Sequence, residues 1–166
     1  MSPRDEMIRC MKNRAAGTVP QGEPIIPDGP TATTEDIQEF KRLVTSMGYE
    51  IKFGQVNAVT KPREKLVQIT SKCTVGVLSD EFLHVWNNYV QQRGKYHEAT
   101  PVADEHRQLG STLRLSGSSN DRRFHQLELG NYVSFLARSG ATIPIFLWRT
   151  FSALKGSEKA QTNTGS

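Results

Sequence analysis

Apolar side chains recur at helical spacing in three segments of the chain, which predicts three well-defined helices. The segment 34–47 has one apolar face, and Thr33 with Asp36 forms a capping box in front of it. The segment 80–93 carries a broad apolar stripe that ends at a glycine. The segment 143–155 is apolar on nearly every side, which is typical of a helix in the centre of a core.

The two ends of the chain have a different pattern, which predicts an arm and a tail around a central body. Ser2 can cap a short amphipathic helix in the first sixteen residues, and Gly17 can stop it. Four prolines and two glycines then favour an extended linker up to residue 32. The predicted organisation is an N-terminal arm at 1–32, a helical body at 33–156 and a polar tail at 157–166.

The remaining body segments are less distinct. A helix over 62–71 is favoured, although the apolar positions there also fit the period of two of a strand. Further helices are expected after Thr100 and over 122–139, where Gly130 is a candidate break. Short β pieces are alternatives at 51–56 and 111–116. The predicted fold class is mainly α, a small bundle of about five to six helices with an extended arm and a polar tail.

Composition excludes several classes of protein. The 166 residues are 36% hydrophobic, with a net charge of +4 at pH 7. No run approaches the about 18 apolar residues of a membrane span, and the first residues lack the apolar core of a secretory signal. Cys10 and Cys73 have no zinc-binding spacing, and two thiols in a reducing compartment are favoured over a disulfide. We therefore expect an intracellular, cytoplasmic protein without a membrane partner.

Catalytic, metal and cofactor motifs are absent from the sequence. The histidines are interpreted as ordinary surface or boundary residues, and no pair has HExxH spacing. Asp104, Glu105 and His106 point in different directions on a helix, so they cannot converge on one atom. No nucleophile motif or phosphate-binding glycine loop is present. The sequence predicts a protein that is not an enzyme and has no metal or cofactor.

Charge is distributed unevenly along the body. Residues 79–110 carry three basic and five acidic side chains, whereas residues 111–156 carry six basic and two acidic ones. Five of those six are arginines, the residue type best suited to bidentate phosphate contacts. They form the predicted nucleic-acid-binding set: Arg114, Arg122, Arg123, Arg138 and Arg149. Solubilising surface charge is an equally weighted interpretation.

Two functional hypotheses follow. The first is a non-enzymatic structural protein that assembles with itself and binds RNA through its phosphates, with Met7, Ile8 and Met11 docking on a neighbouring subunit. This plan resembles that of the helical capsid proteins of plant RNA viruses, as an analogy of architecture, and it implies a coat or nucleocapsid role within a virion. The second is a protein-interaction module, such as an adaptor, a virulence factor or a regulatory subunit, that docks through the N-terminal helix and the proline-rich arm.

Overall fold

Five helices and a three-stranded sheet make up the part of the chain that the structure describes. The structure is a computed structural model that describes residues 1–17, 24–91 and 117–153, except for the side chains of 90, 91 and 117–124. The elements are α1 Pro3–Ala15, α2 Thr34–Ser46, β1 Glu50–Gln55, β2 Val59–Lys61, β3 Leu66–Thr70, α3 Val75–Trp86, α4 Gly117–Ser139 and α5 145–153. A π-helical turn, Asn87–Gln91, continues α3.

The sheet corrects the predicted fold class, because a mainly α bundle has no place for it. The helix predicted over 62–71 is wrong: residues Leu66–Thr70 form β3, after a turn. Val67 and Ile69 are fully buried while Gln68 between them is not, so the period of two is the real one. The spacing of Leu66, Ile69 and Cys73 also fits a helix. In so short a segment, pairing with neighbouring strands decides between helix and strand.

Strand β3 is the central strand of a mixed sheet with the order β1-β3-β2. It pairs in parallel with β1, which lies where a short β piece was expected at 51–56, and antiparallel with β2. The parallel register shifts between Lys52 and Gln55, where Gly54 has a φ of 72°. Pairing resumes beyond this irregularity, where Gln55, the last residue of β1, pairs with Thr70.

Local capping signals set the starts of three helices. Ser2 caps α1 by accepting a hydrogen bond from the amide of Asp5, and the capping box of Thr33 and Asp36 is present at α2; both caps were predicted. Helix α3 begins at Val75, earlier than the predicted start at residue 80, because the Thr74 hydroxyl accepts from the amide of Val77 at 3.2 Å.

Helix α1 packs against α4 of the same chain. Met7 and Met11 are buried, and the Arg4 guanidinium donates to the carbonyl oxygens of Leu136 and Ala141. Helix α4 runs unbroken through Gly130, where an added Cβ would lie 3.7 Å from the Cβ of Ala15 on α1. The N-terminal helix is thus part of the hydrophobic core rather than a free arm.

The linker lies across the start of α3. Gly76 donates its amide to the carbonyl of Asp28 at 2.8 Å, and Val75 donates to Pro30 at 3.0 Å. An added Cβ at Gly76 would lie 2.0 Å from the carbonyl oxygen of Pro27. Only glycine therefore permits this approach of the two backbones.

Aromatic rings join four helices in the core. Phe146 of α5 makes edge contacts with Phe40 of α2 and Phe82 of α3, at centroid distances of 5.8 and 5.5 Å. Phe82 also meets Tyr132 of α4 at 5.5 Å. The position of α5 in the core is confirmed, but its first residue, Ile145, is 57% exposed, so the helix is not buried on every side.

Several predictions lie outside the described residues. They are the helix after Thr100, the β piece at 111–116 and the polar tail at 157–166. Of the helices that are described, none combines the length and the apolar character needed to cross a membrane.

Candidate functional site

Basic side chains are frequent in the strands of the sheet and in the turns beside them. The segment Tyr49 to Lys72 holds five basic and two acidic side chains. The basic ones are Lys52, Lys61, Arg63, Lys65 and Lys72, which are exposed except for the half-buried Lys61. We call these five residues the sheet-face cations.

The pairing register shows which way two of the lysines point. Val67 pairs with Ile51 and Thr60, and this row faces α3, because Val67 is fully buried and the Thr60 hydroxyl donates to the carboxylate of Glu81. Side chains alternate between the two faces of a strand. Lys52 and Lys61 therefore lie on the opposite face, which they share with Glu50 and with Leu66, which is 7% exposed.

Exposed apolar side chains lie at one end of the same sheet. Phe53 is 44% exposed, Val56 is 91% exposed and Val59 is 36% exposed. They flank the connection between β1 and β2, where the register of β1 shifts. Aromatic and basic side chains together are the usual composition of a surface that binds single-stranded nucleic acid.

The predicted arginine set is only partly described. Arg149 forms an ion pair with Asp36, which is 1% exposed, so its guanidinium has a structural partner. Arg138 is exposed and donates to the carbonyl of Ser134 within its own helix. Arg114 and the side chains of Arg122 and Arg123 lie outside the described part of the chain. The structure does not bring Arg138 and Arg149 together with the sheet-face cations in any described contact.

The predicted subunit-docking residues lie inward in this chain. Met7 is 5% exposed and Met11 fully buried, and Ile8 packs against the same core from a half-buried position. Docking of this face on a neighbouring subunit would require α1 to leave α4.

A second cluster of polar side chains lies between α3 and α4. Asp80 and His84 are four residues apart on α3, and His125 approaches them from α4. The Oδ1 atom of Asp80 lies 2.7 Å from Nε2 of His125 and 3.8 Å from Nε2 of His84. The other ring nitrogen of His84, Nδ1, lies 3.0 Å from Oε1 of Glu128, which is 2% exposed.

The charges around His84 shift its titration. Burial alone would lower the pKa of His84, but the charge and hydrogen bond of Glu128, with the charges of Asp80 and Glu81, raise the pKa to about 10. Burial raises the pKa of the neighbouring Glu81, although His84 and the hydroxyl of Thr60 oppose this shift. The cluster is an acidic environment that favours positive charge between the two helices.

Sequence reasoning missed this cluster because it treated each histidine separately. The signal that could have found it is a pair of helical spacings, Asp80 with His84 and His125 with Glu128, which place each pair on one helix face. Nothing local indicates that the two faces meet.

Comparison with models of protein families, with characterised proteins and with solved structures finds no match to this chain. The basic residues of the sheet region and the polar cluster between α3 and α4 are the two candidate sites of this chain.

Proposed function

We propose that this chain is a non-enzymatic structural protein that binds the phosphate backbone of RNA without reading its sequence and assembles with copies of itself. In this proposal the protein is cytoplasmic and acts as a coat or nucleocapsid subunit. If its source is a virus, it is part of the virion. The observation that carries the proposal is the set of five basic side chains in and beside the sheet, with an exposed aromatic ring at its end.

The sheet-face cations are the phosphate-binding groups in this proposal. Lysines on a sheet surface act as point charges that attract a polyanion without a fixed geometry, which suits binding that ignores sequence. Phe53 can stack on an unpaired base, because every base has an aromatic face. Arg122 and Arg123 remain predicted contacts, whereas the ion pair with Asp36 weighs against Arg149.

Self-assembly is the second part of the proposal, and two features support it. Strands β1 and β2 each have one side without a strand partner among the described residues, and such edges can pair with another copy. The exposed Phe53, Val56 and Val59 lie beside these edges. Because α1 is buried in its own chain, the sheet edge is a better candidate for the contact between copies than α1.

The experiment is a salt titration of RNA binding, measured by fluorescence anisotropy on a labelled single-stranded oligonucleotide. The triple variant Lys52→Gln, Lys61→Gln, Lys65→Gln loses three charges on the sheet face. If all three contact phosphates, the negative slope of log affinity against log salt becomes less steep by about 2, since each contact to a single strand contributes about −0.7.

The matched control removes three charges elsewhere. Arg9→Gln, Lys41→Gln and Arg42→Gln change exposed residues of α1 and α2, and we expect the slope to stay near that of the original chain. Equal slopes for both triple variants would contradict the sheet face as the binding surface. Absence of RNA binding at low salt would overturn the function.

The alternative function is a protein-interaction module, and the exposed Phe53, Val56 and Val59 favour it if RNA does not bind. Light scattering, combined with the ratio of nucleic-acid to protein absorbance, distinguishes the two functions. Large particles that carry nucleic acid support the coat-like function, whereas a monomer with the absorbance ratio of pure protein supports the interaction module.

A further inference from the structure

The cluster between α3 and α4 has the donor groups of a transition-metal site. Asp80, His84 and His125 can each offer one ligand atom, and these three atoms lie within 4.8 Å of one another. Two imidazoles with one carboxylate form a set that binds zinc and related divalent ions, whereas magnesium and calcium prefer oxygen donors alone.

The distances are close to those of a bound ion. In a tetrahedral zinc site, with bonds of about 2.0–2.2 Å, neighbouring ligand atoms are about 3.4 Å apart. The two separations from Asp80 Oδ1, 2.7 Å to His125 and 3.8 Å to His84, lie on either side of this value. The third separation, between the ligand atoms of the two histidines, is at most 4.8 Å, so ion binding requires the two rings to approach each other where it exceeds about 3.4 Å.

Glu128 completes the arrangement from behind His84. Its Oε1 lies 3.0 Å from Nδ1 of His84, so it can accept the Nδ1 proton and leave the Nε2 lone pair directed to the ion. This carboxylate–histidine pairing is the usual support of a metal-binding imidazole. Both oxygens of Glu128, Oε1 and Oε2, are buried, and neither makes a hydrogen bond of regular geometry among the described residues.

The charge of the cluster also favours a cation. Asp80 and Glu81 on α3 and Glu128 on α4 are three acidic groups around two imidazoles. Glu81 and Glu128 are 5% and 2% exposed, so solvent does little to compensate them. A divalent ion bound by neutral imidazoles would balance this charge as well as two imidazolium groups do.

We propose that Asp80, His84 and His125 bind one divalent transition-metal ion, and that this ion is zinc. Glu128 is the residue that positions His84. The ion would join α3 to α4 and lock the contact between these helices. Three ligands from the described residues leave a further coordination position, which a water molecule or another donor fills.

The first test is a zinc titration of the metal-free protein, without a polyhistidine tag, in competition with a chromogenic zinc chelator. We expect one equivalent of zinc to bind per chain. Zinc should also raise the melting temperature, and EDTA should reverse this rise. Cobalt at one equivalent should give the visible bands of a nitrogen- and oxygen-ligated ion.

Variants assign the ligands. His125→Gln and Asp80→Asn each remove one donor, and Asp80→Asn keeps the size of the side chain. Both should lose more affinity than Glu128→Gln, for which the loss of a supporting hydrogen bond predicts about a 10–100-fold decrease. Cys10→Ser, which removes a donor of another kind far from the cluster in sequence, should bind zinc as the original chain does.

Nuclear magnetic resonance of the unsubstituted chain tests the same assignment without variants, so the proposal can be tested even if the variants fail to fold. Imidazole nitrogen resonances should shift on addition of zinc for His84 and His125, at Nε2 and not at Nδ1 of His84. Affinity unchanged in both His125→Gln and Asp80→Asn would overturn the proposal. So would zinc-induced shifts confined to other histidines, or no binding at one equivalent.

Discussion

Asp36 joins the start of α2 to α5 through one buried carboxylate. It accepts hydrogen bonds from the amide and the hydroxyl of Thr33, and it forms the ion pair with Arg149. A neighbour on α2, Glu39, accepts from the amide of Ile145 at 2.7 Å and caps α5. Two acidic residues on one helix thus position another helix that follows about a hundred residues later.

Replacing Arg149 by alanine should destabilise the fold. The change leaves the carboxylate of Asp36, which is 1% exposed, without its charged partner, at a cost of about 1–3 kcal/mol in the free energy of unfolding. Urea denaturation measures this cost. Arg138→Ala is the control, because Arg138 is exposed and bonds only within its own helix among described contacts, and its effect should stay within about 0.5 kcal/mol.

A double-mutant cycle identifies the cause of that loss. Asp36→Asn with Arg149→Ala should cost less than the sum of the two single changes, because the pair is removed as a whole. Strict additivity would mean that the ion pair contributes nothing.

The two cysteines should differ in their reaction with a thiol reagent. Both are thiols, but Cys73 is 3% exposed, and burial raises the pKa of Cys73. Because the thiolate is the reactive form, Cys73 should react only when the fold opens, whereas the half-buried Cys10 reacts first. Ellman's reagent should give a fast and a slow phase, and Cys73→Ser should remove the slow one. A single fast phase of two thiols would contradict the buried position of Cys73.

The features that could be predicted from the sequence are those that depend on residues close together along the chain. The caps at Ser2 and Thr33 are interactions within one helical turn, so their residue types show them directly. The ion pair of Asp36 with Arg149 and the contact of His84 with Glu128 join distant segments, and no local pattern contains them. The basic sheet face was missed for the same reason, because β3 was predicted as a helix and its neighbours were not aligned.

At the scale of elements, the distance between a helical glycine and the neighbouring segment decides whether that glycine can be replaced by alanine. The linker crosses α3 at Gly76, and α1 crosses α4 at Gly130. Gly130 lies in the interior of α4, where alanine is intrinsically favoured by about 1 kcal/mol, and Gly76 is the second residue of α3. Their surroundings differ, and they therefore form a matched pair.

Gly76→Ala should lower the free energy of unfolding by about 1–3 kcal/mol, because the new Cβ would overlap the backbone of the linker. Gly130→Ala should instead raise it by about 0.5–1 kcal/mol, since its Cβ would only touch Ala15 at an ordinary distance. Thermal melts of the two variants measure both effects. A stabilising Gly76→Ala would mean that the linker does not lie across α3.

At the scale of the whole molecule, α1 and the described end of the linker both contact the rest of the fold, and removal of residues 1–32 tests how much they contribute. Removing them uncovers the face of α4 that α1 covers and the backbone groups of α3 that bond to the linker. We expect the shortened chain to lose its cooperative thermal transition and its near-ultraviolet circular dichroism. A folded monomer with a similar melting temperature would show that α1 and the linker contribute little to stability.

The contact between the first helix and the fourth also determines when this protein can fold. Helix α1 is synthesised about a hundred residues before α4, the helix that it packs against. Until then Met7 and Met11 have no core to enter, and they remain accessible to chaperones and to other nascent chains. The contact between α1 and α4 can therefore form only after α4 has been synthesised.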